Sequence, residues 1–475
     1  MHKIFTCILF SITFSLSAQT YTLTVNNGYG SGSYAAGDTV HVYCNAYDTL
    51  TVFTNWSGDT TFLQYADEWH TWLVMPPQNV VVTANFQSFY IPLNYELIQG
   101  RDILKPVYYA FPPNMKGVVY LLHGTGGSAR GWLSLENRKL VNDLLYNRYG
   151  VLITEAEEST LNQDLNSDGK LRWQTNPVDT LTNVDYVNIK ILTDTFINRG
   201  SFTAQTKRFS VGMSNGGSYA ISLSTIYQFN AGVSYCAQGN GPIFDVTNTP
   251  IQFCMQQNDN NENVGPVGNA NALVNSNTLI NRGICSRYYS NPQNPLYPER
   301  FARIAGITLQ KSQQIFTDLQ NNGCLLPNNF MKFAGDSVAA IVQANFANWP
   351  SLLGLNGAQL AEIINQINCS FTAHQFFSDY NKRTIEFLNY QCSIPNTIIE
   401  NTIQEKSCLF PNPANGLVYA NCYAGKLTIE VLNNSGQKVL SSPDFPINVS
   451  TLPQGLYFVR IFTDNGISHQ KIVVY

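Results

Sequence analysis

A serine flanked by small residues stands at Gly212-Met213-Ser214-Asn215-Gly216. It follows the run Arg208-Phe209-Ser210-Val211 and precedes Gly217-Ser218-Tyr219-Ala220-Ile221-Ser222-Leu223, which reads as helix. A sharp strand-to-helix turn needs small residues on both sides, and it lifts a serine hydroxyl above the sheet as a nucleophile. The pentapeptide alone would also suit a plain connecting loop; the strand before it and the helix after it make the reading specific. A second cluster, His123-Gly124-Thr125-Gly126-Gly127, ends the run Gly117-Val118-Val119-Tyr120-Leu121-Leu122. Glycines there let backbone N–H groups approach a developing oxyanion without a Cβ in the way. The backbone N–H groups of Thr125 and Asn215 are the expected oxyanion hole. A phosphate-binding loop is disfavoured, because neither Gly-x-Gly-x-x-Gly nor a Gly-Lys-Ser/Thr ending is present.

A serine nucleophile needs a base, and the six histidines allow elimination. His2 lies in a targeting segment, His41, His70 and His469 lie in flanking β segments, and His123 belongs to the glycine cluster. His374 remains, in Ser370-Phe371-Thr372-Ala373-His374-Gln375-Phe376-Phe377, and it is expected at the end of a short strand before a helix. The acid should follow the strand Ile251-Gln252-Phe253-Cys254-Met255. Asp259 is the choice to orient His374 and stabilise its imidazolium, with Glu262 in reserve. The chemistry is acyl transfer through a covalent intermediate, without organic cofactor or catalytic metal. A weak calcium candidate also stands out. Asp164-Leu165-Asn166-Ser167-Asp168-Gly169 begins like a calcium loop, but Thr175 occupies the acidic twelfth position, so a polar turn is the stronger reading.

These residues need a scaffold. From about Gln87 to Pro395, short apolar runs alternate with helical patterns, which predicts an α/β domain over residues 88–395 with a mainly parallel sheet covered on both faces. Ligands bind at the carboxyl ends of such strands, where every motif above falls. A helical insertion over the site is expected at about residues 280–367, a stretch too long for a structureless loop. Residues 19–87 and 405–475 alternate apolar and polar residues between turn signals, so each is expected to be a small all-β domain. Trp56, Trp69 and Trp72 in the first could stack on sugar, although core packing is the better reading.

Composition narrows the classes. Charged residues make up only 12%, and 27 basic against 31 acidic residues leave a net charge of −4, so nucleic acid is excluded as a partner. Lys3, the apolar run Ile4 to Leu16, and the small residues ending at Ala18 predict a signal peptide over residues 1–18, and no later segment is long and apolar enough to span a membrane. Of ten cysteines, Cys7 falls in that signal; the nine others are odd in number, so at least one thiol stays unpaired, and export permits disulfides among the rest.

His123-Gly124-Thr125-Gly126-Gly127, Gly212-Met213-Ser214-Asn215-Gly216-Gly217, Asp259 and His374 together resemble the feruloyl esterase and polyhydroxybutyrate depolymerase-like branch of the α/β-hydrolases. The resemblance implies hydrolysis of esters of hydroxy acids or of cell-wall polysaccharides; the Asn-rich acid loop and the long insertion depart from it. Gly30-Ser31-Gly32-Ser33-Tyr34, Trp56-Ser57-Gly58-Asp59 and Met75-Pro76-Pro77 resemble a divergent internalin-type repeat, which implies a spacer or adhesion module. Phe410-Pro411-Asn412-Pro413-Ala414, Leu452-Pro453-Gln454-Gly455-Leu456-Tyr457 and the stretch from Lys471 to Tyr475 resemble the sorting domain of type IX secretion cargo. That implies the type IX machinery as a partner and a secreted or cell-surface protein. The rival expectations are a secreted serine peptidase of the same fold and a non-catalytic glycan-binding or adhesion protein.

Overall fold

The computed structural model describes residues 19–44, 51–392, 409–410, 412, 414–420, 427–433, 437–463 and 466–474. The expected signal peptide, Cys408 and Cys422 lie outside the described residues, and so does part of the Phe410 to Ala414 motif. The chain divides into two compact units, Met1–Ile394 and Pro395–Tyr475.

The first unit opens with six strands: β1 (Thr20–Asn26), β2 (Gly32–Ala35), β3 (Thr39–Tyr43), β4 (Thr51–Gly58), β5 (His70–Val74) and β6 (Val80–Ser88). Four form a sheet of order β2-β1-β6-β4, and β3 pairs with β5. Alternation puts Leu23, Val25, Val42, Leu73, Val80 and Val82 into one core with Trp56 and Trp69. Trp56 and Trp69 are buried and Trp72 is half-buried, so two of the three are core rather than a stacking surface.

An eight-stranded sheet follows: β7 (Asn94–Gln99), β8 (Leu104–Ala110), β9 (Gly117–Leu122), β10 (Tyr149–Ile153), β11 (Arg208–Met213), β12 (Ala231–Tyr235), β13 (Ile251–Gln256) and β14 (Ser286–Asn291). Its order is β7-β8-β10-β9-β11-β12-β13-β14. The strand β8 runs antiparallel to both its neighbours, and the rest of the sheet is parallel. This is the α/β-hydrolase fold.

The strand β9 shows why the sheet must be covered twice. Val119 and Leu121 point into one buried cluster, and Val118, Tyr120 and Leu122 into another. The first cluster is closed by α1 (Leu135–Tyr146), which contributes Leu140 and Leu144. A short α2 (Glu157–Leu161) precedes α3 (Val184–Asn198) and α4 (Asn215–Ile226), which close the second cluster through Ile189, Leu192, Tyr219 and Leu223. Ala272 and Leu279 of α5 (Gly265–Asn281) pack on Ile251, Phe253 and Met255.

The helical insertion begins later than expected. Residues 286–291 are the edge strand β14, parallel to β13, and the helices α6 (Leu309–Asn321), α7 (Gly335–Ala344) and α8 (Gly357–Phe371) come after it. They enclose a core of their own around Phe301, Ile315, Leu319, Trp349 and Ile367. A last helix, α9 (Asn381–Tyr390), returns to the sheet, where Ile385 and Leu388 join the first cluster. A disulfide links Cys285 to Cys392 with Cα atoms 5.6 Å apart, tying the start of β14 to the residues after α9. Cys44, Cys236, Cys254, Cys324 and Cys369 are buried thiols.

The second unit is a β sandwich. A three-stranded and a four-stranded sheet bury Leu409, Val418 and Ile447 against Ile429, Val431, Val459, Ile461 and Ile472. Among the described residues, no helix is long and apolar enough to cross a membrane.

Candidate active site

Ser214 sits between the end of β11 and the start of α4, at φ 56° and ψ −125°. A non-glycine residue at positive φ is strained, and such strain persists only where its surroundings dictate it. Two glycines do so here. A Cβ on Gly212 would come within 2.0 Å of the Gly216 carbonyl oxygen, and one on Gly216 within 2.2 Å of the His123 carbonyl oxygen. The turn can therefore close only with glycine at both places. Its strand end is anchored by the Ser214 N–H, which donates to Tyr235 O at 2.8 Å.

Three residues far apart in sequence meet above this turn. Ser214 Oγ lies 2.8 Å from His374 Nε2, and His374 Nδ1 lies 2.7 Å from Asp259 Oδ2. A carboxylate accepts, so Nδ1 carries the proton and Nε2 is left to accept from the serine hydroxyl. Asp259 is buried, and its other oxygen accepts from the N–H groups of Asn261 at 3.0 Å and Gly265 at 3.4 Å. Glu262 is not brought to the histidine: it is exposed and pairs with Lys170 at 3.2 Å.

His374 does not follow a strand. Residues 357–371 are α8, and Thr372 ends that helix in the left-handed region at φ 62°. The segment Ser370-Phe371-Thr372 alternates like a strand, but tertiary contacts decide its shape. Asn258 donates from its backbone to Thr372 O at 3.1 Å and from its side chain to Phe371 O at 2.8 Å. The acid loop and the histidine loop are thus bonded to each other directly.

The glycine loop lies beside Ser214: a Cβ on Gly124 would stand 3.2 Å from Ser214 Cβ. Thr125 is exposed in the following turn, whose Gly126 N–H donates to Leu171 O at 2.7 Å. Asn215 is the first residue of α4, where backbone N–H groups have no acceptor within the helix.

His123 shapes the loop without joining the contacts among Ser214, His374 and Asp259. Its Nδ1 contacts Gly124 O at 2.7 Å, and its Nε2 accepts from the Ala156 N–H at 3.0 Å. Burial lowers this imidazole to about 4, so it is neutral at physiological pH and serves as a fixed donor and acceptor.

Trp173 has no counterpart in the motifs. The Asn215 side chain accepts from the Trp173 N–H at 2.9 Å and donates to Trp173 O at 3.2 Å, while the indole Nε1 donates to His123 O at 3.0 Å. One residue therefore ties the glycine loop to the Ser214 turn. A buried Trp among polar residues 40 or so positions before Ser214 carries no motif that could have revealed it.

Two places could be considered for a metal. Cys236, Asp259 and His374 offer ligand atoms within 4.8 Å of one another. Both ring nitrogens of His374 are already engaged, and burial with the nearby Asp259 carboxylate pushes the Cys236 thiol well up. In the Asp164 loop, the Asp164 carboxylate accepts from the N–H groups of Asn166, Asp168 and Gly169, and Asp168 pairs with Arg172. Those carboxylates serve the turn itself.

Comparison with known proteins bears on the two ends of the chain. Residues 21–89 match the model of the divergent InlB B-repeat domain, and residues 408–475 match that of the secretion system C-terminal sorting domain. The chain ends in a secretion sorting domain. Such a domain marks a protein for secretion or attachment at the cell surface. No curated protein matches the chain. Among solved structures, dienelactone hydrolase from Anabaena variabilis is 16% identical at a TM-score of 0.32, covering 48% of this chain and 98% of that one. Est1E from Butyrivibrio proteoclasticus, solved with ferulic acid bound, is 13% identical at 0.31, covering 42% and 89%. XC6422 from Xanthomonas campestris, described as an α/β serine hydrolase without lid, is 11% identical at 0.30, covering 43% and 85%.

Proposed function

We propose that this is a secreted or surface-held serine esterase that hydrolyses carboxylic esters through an acyl-enzyme. One observation carries the reading: the unbroken contact from Ser214 through His374 to Asp259, on a strained turn beside a glycine loop. Ser214 Oγ attacks the ester carbonyl while His374 Nε2 takes its proton. The imidazolium then returns that proton to the leaving alcohol, and water repeats the sequence to free the acid. Asp259 holds the ring in the tautomer this requires. The N–H groups of Thr125 and Asn215 receive the oxyanion. The substrate classes in view are esters of hydroxy acids and of cell-wall polysaccharides, polymeric in the polyester and polysaccharide cases.

The test is fluorophosphonate labelling of the folded protein beside p-nitrophenyl acetate hydrolysis, with wild type against Ser214→Ala. Loss of both signals in the variant is the expected result. Folded wild-type protein that takes no label would refute the proposal.

A further inference from the structure

The loop that carries His374, residues 372–380, has no strand of its own and is held by side chains from elsewhere. Phe376 packs on Tyr235, with ring centroids 4.6 Å apart, and on Trp132 at 5.3 Å. Glu136 of α1 accepts from the Ser378 N–H at 3.1 Å and also from the Ser378 hydroxyl. The other oxygen of Glu136 faces Arg303 at 3.0 Å and accepts from Gln366 at 2.8 Å; Gln366 in turn accepts from both Arg300 and Arg303. Glu136, Arg300, Arg303 and Gln366 are all buried. One carboxylate thus joins α1, the insertion and the histidine loop.

This node rests on the N-terminal repeat. The Arg303 guanidinium lies over the Trp69 ring at 4.5 Å, with Arg300 at 5.8 Å. The neighbours of Trp69 reach the same loop and the helix after it. His70 Nδ1 stands 3.7 Å from the Asp379 carboxylate, and Glu68 accepts from Arg383 of α9 at 2.9 Å. Tyr43 stacks on Tyr297 at 4.0 Å and donates to Pro295 O at 2.8 Å, so a residue of the insertion completes the core of the repeat. A pendant spacer has no need of buried polar and charged contacts with the domain it precedes, because burying such groups costs desolvation.

We propose that the N-terminal repeat is a fixed support of the candidate active site, with Trp69, through Arg303, and Glu136 as positioning residues that hold the His374 loop in register with Ser214. The proposal rests on the esterase reading for its kinetic arm only. Glu136→Gln places an amide N–H against the Ser378 or Arg303 donors, and Trp69→Ala removes the face beneath Arg303, whereas Trp69→Phe keeps an aromatic face there.

The experiment measures p-nitrophenyl acetate kinetics, the rate of fluorophosphonate labelling, and hydrogen–deuterium exchange across residues 372–380. All are measured well below each variant's Tm. Trp69→Ala and Glu136→Gln are expected to lower kcat and the labelling rate about 10- to 100-fold with KM little changed, as a small misplacement of a reacting group does. Exchange in the loop rises in both, and Trp69→Phe restores the rate and the protection. A lower Tm with unchanged kcat and unchanged loop exchange would overturn the proposal. Wild type that takes no label would instead count against the esterase reading, and the exchange arm would still decide this one. If Trp69→Ala fails to fold, Trp69→Leu, which removes the aromatic face beneath Arg303 but fills more of the space, is compared with Trp69→Phe in the same way.

Discussion

Asp259 and Glu262 are three residues apart and chemically alike, yet their surroundings separate them. Asp259 is buried on His374 Nδ1, and Glu262 is exposed on Lys170. We expect Asp259→Asn to lower kcat by about 10⁴-fold, because the amide favours the wrong tautomer of the histidine. Glu262→Gln should leave kcat within a factor of two or so, since exposed pairs contribute little. A larger loss in Glu262→Gln than in Asp259→Asn would reverse the assignment. Gly216 is a second residue-scale test. A methyl there meets the carbonyl oxygens of His123 and Leu122 at 2.2 and 2.4 Å, which are backbone atoms that cannot step aside. Gly216→Ala should cost about 1–3 kcal/mol in denaturant unfolding and slow Ser214 labelling.

At the scale of elements, the glycine loop after β9 keeps its shape through a histidine that must stay neutral. Burial lowers His123 to about 4, so its contribution to stability is fully present above the ordinary value of 6.5 and is lost as pH falls toward 4. His123→Gln should cost about 1–3 kcal/mol at pH 7.5 by disturbing the bonds to Gly124 and Ala156. The gap between wild type and variant should then shrink by up to about 1.4 kcal/mol per pH unit below 6.5. Urea melts at pH 7.5 and 5.5 check this; a gap that is constant or widens on acidification would contradict it. Other buried groups move the absolute stability: burial raises Asp143 and Asp185 to about 6, against hydrogen bonds that lower them. Only the difference between the two proteins isolates His123.

At the scale of the molecule, the Cys285–Cys392 disulfide closes a loop of 107 residues that contains β14, the whole insertion, α8 and His374. Closing so long a loop restricts the unfolded chain, so Cys285→Ser with Cys392→Ser should lower stability by about 2–4 kcal/mol. The active-site contacts do not run through the bridge. The double variant should therefore keep its kcat below its melting temperature; a large fall in kcat there would mean that the edge strand and α9 set the histidine position.

The local sequence determined the Ser214 turn, the glycine loop and the alternating strands, because each depends on contacts between near neighbours. Gly212 and Gly216 are required by a turn five residues long, and β9 must be apolar because both its faces are buried. The edge strand β14 escaped such a reading. Ser286-Arg287-Tyr288-Tyr289-Ser290-Asn291 pairs with one neighbour only and carries no apolar run. The histidine loop escaped it too, since Asn258, Glu136 and Asp259 hold it from 113 or more residues away, and Trp173 joins the site from 42 residues before Asn215. Residue types and short spacings single out Ser214, His374 and the pair Asp259 and Glu262 as candidates. Which carboxylate faces the base, and that an N-terminal repeat stands beneath its loop, were decided by the tertiary structure, because only chain closure brings such distant side chains within bonding distance.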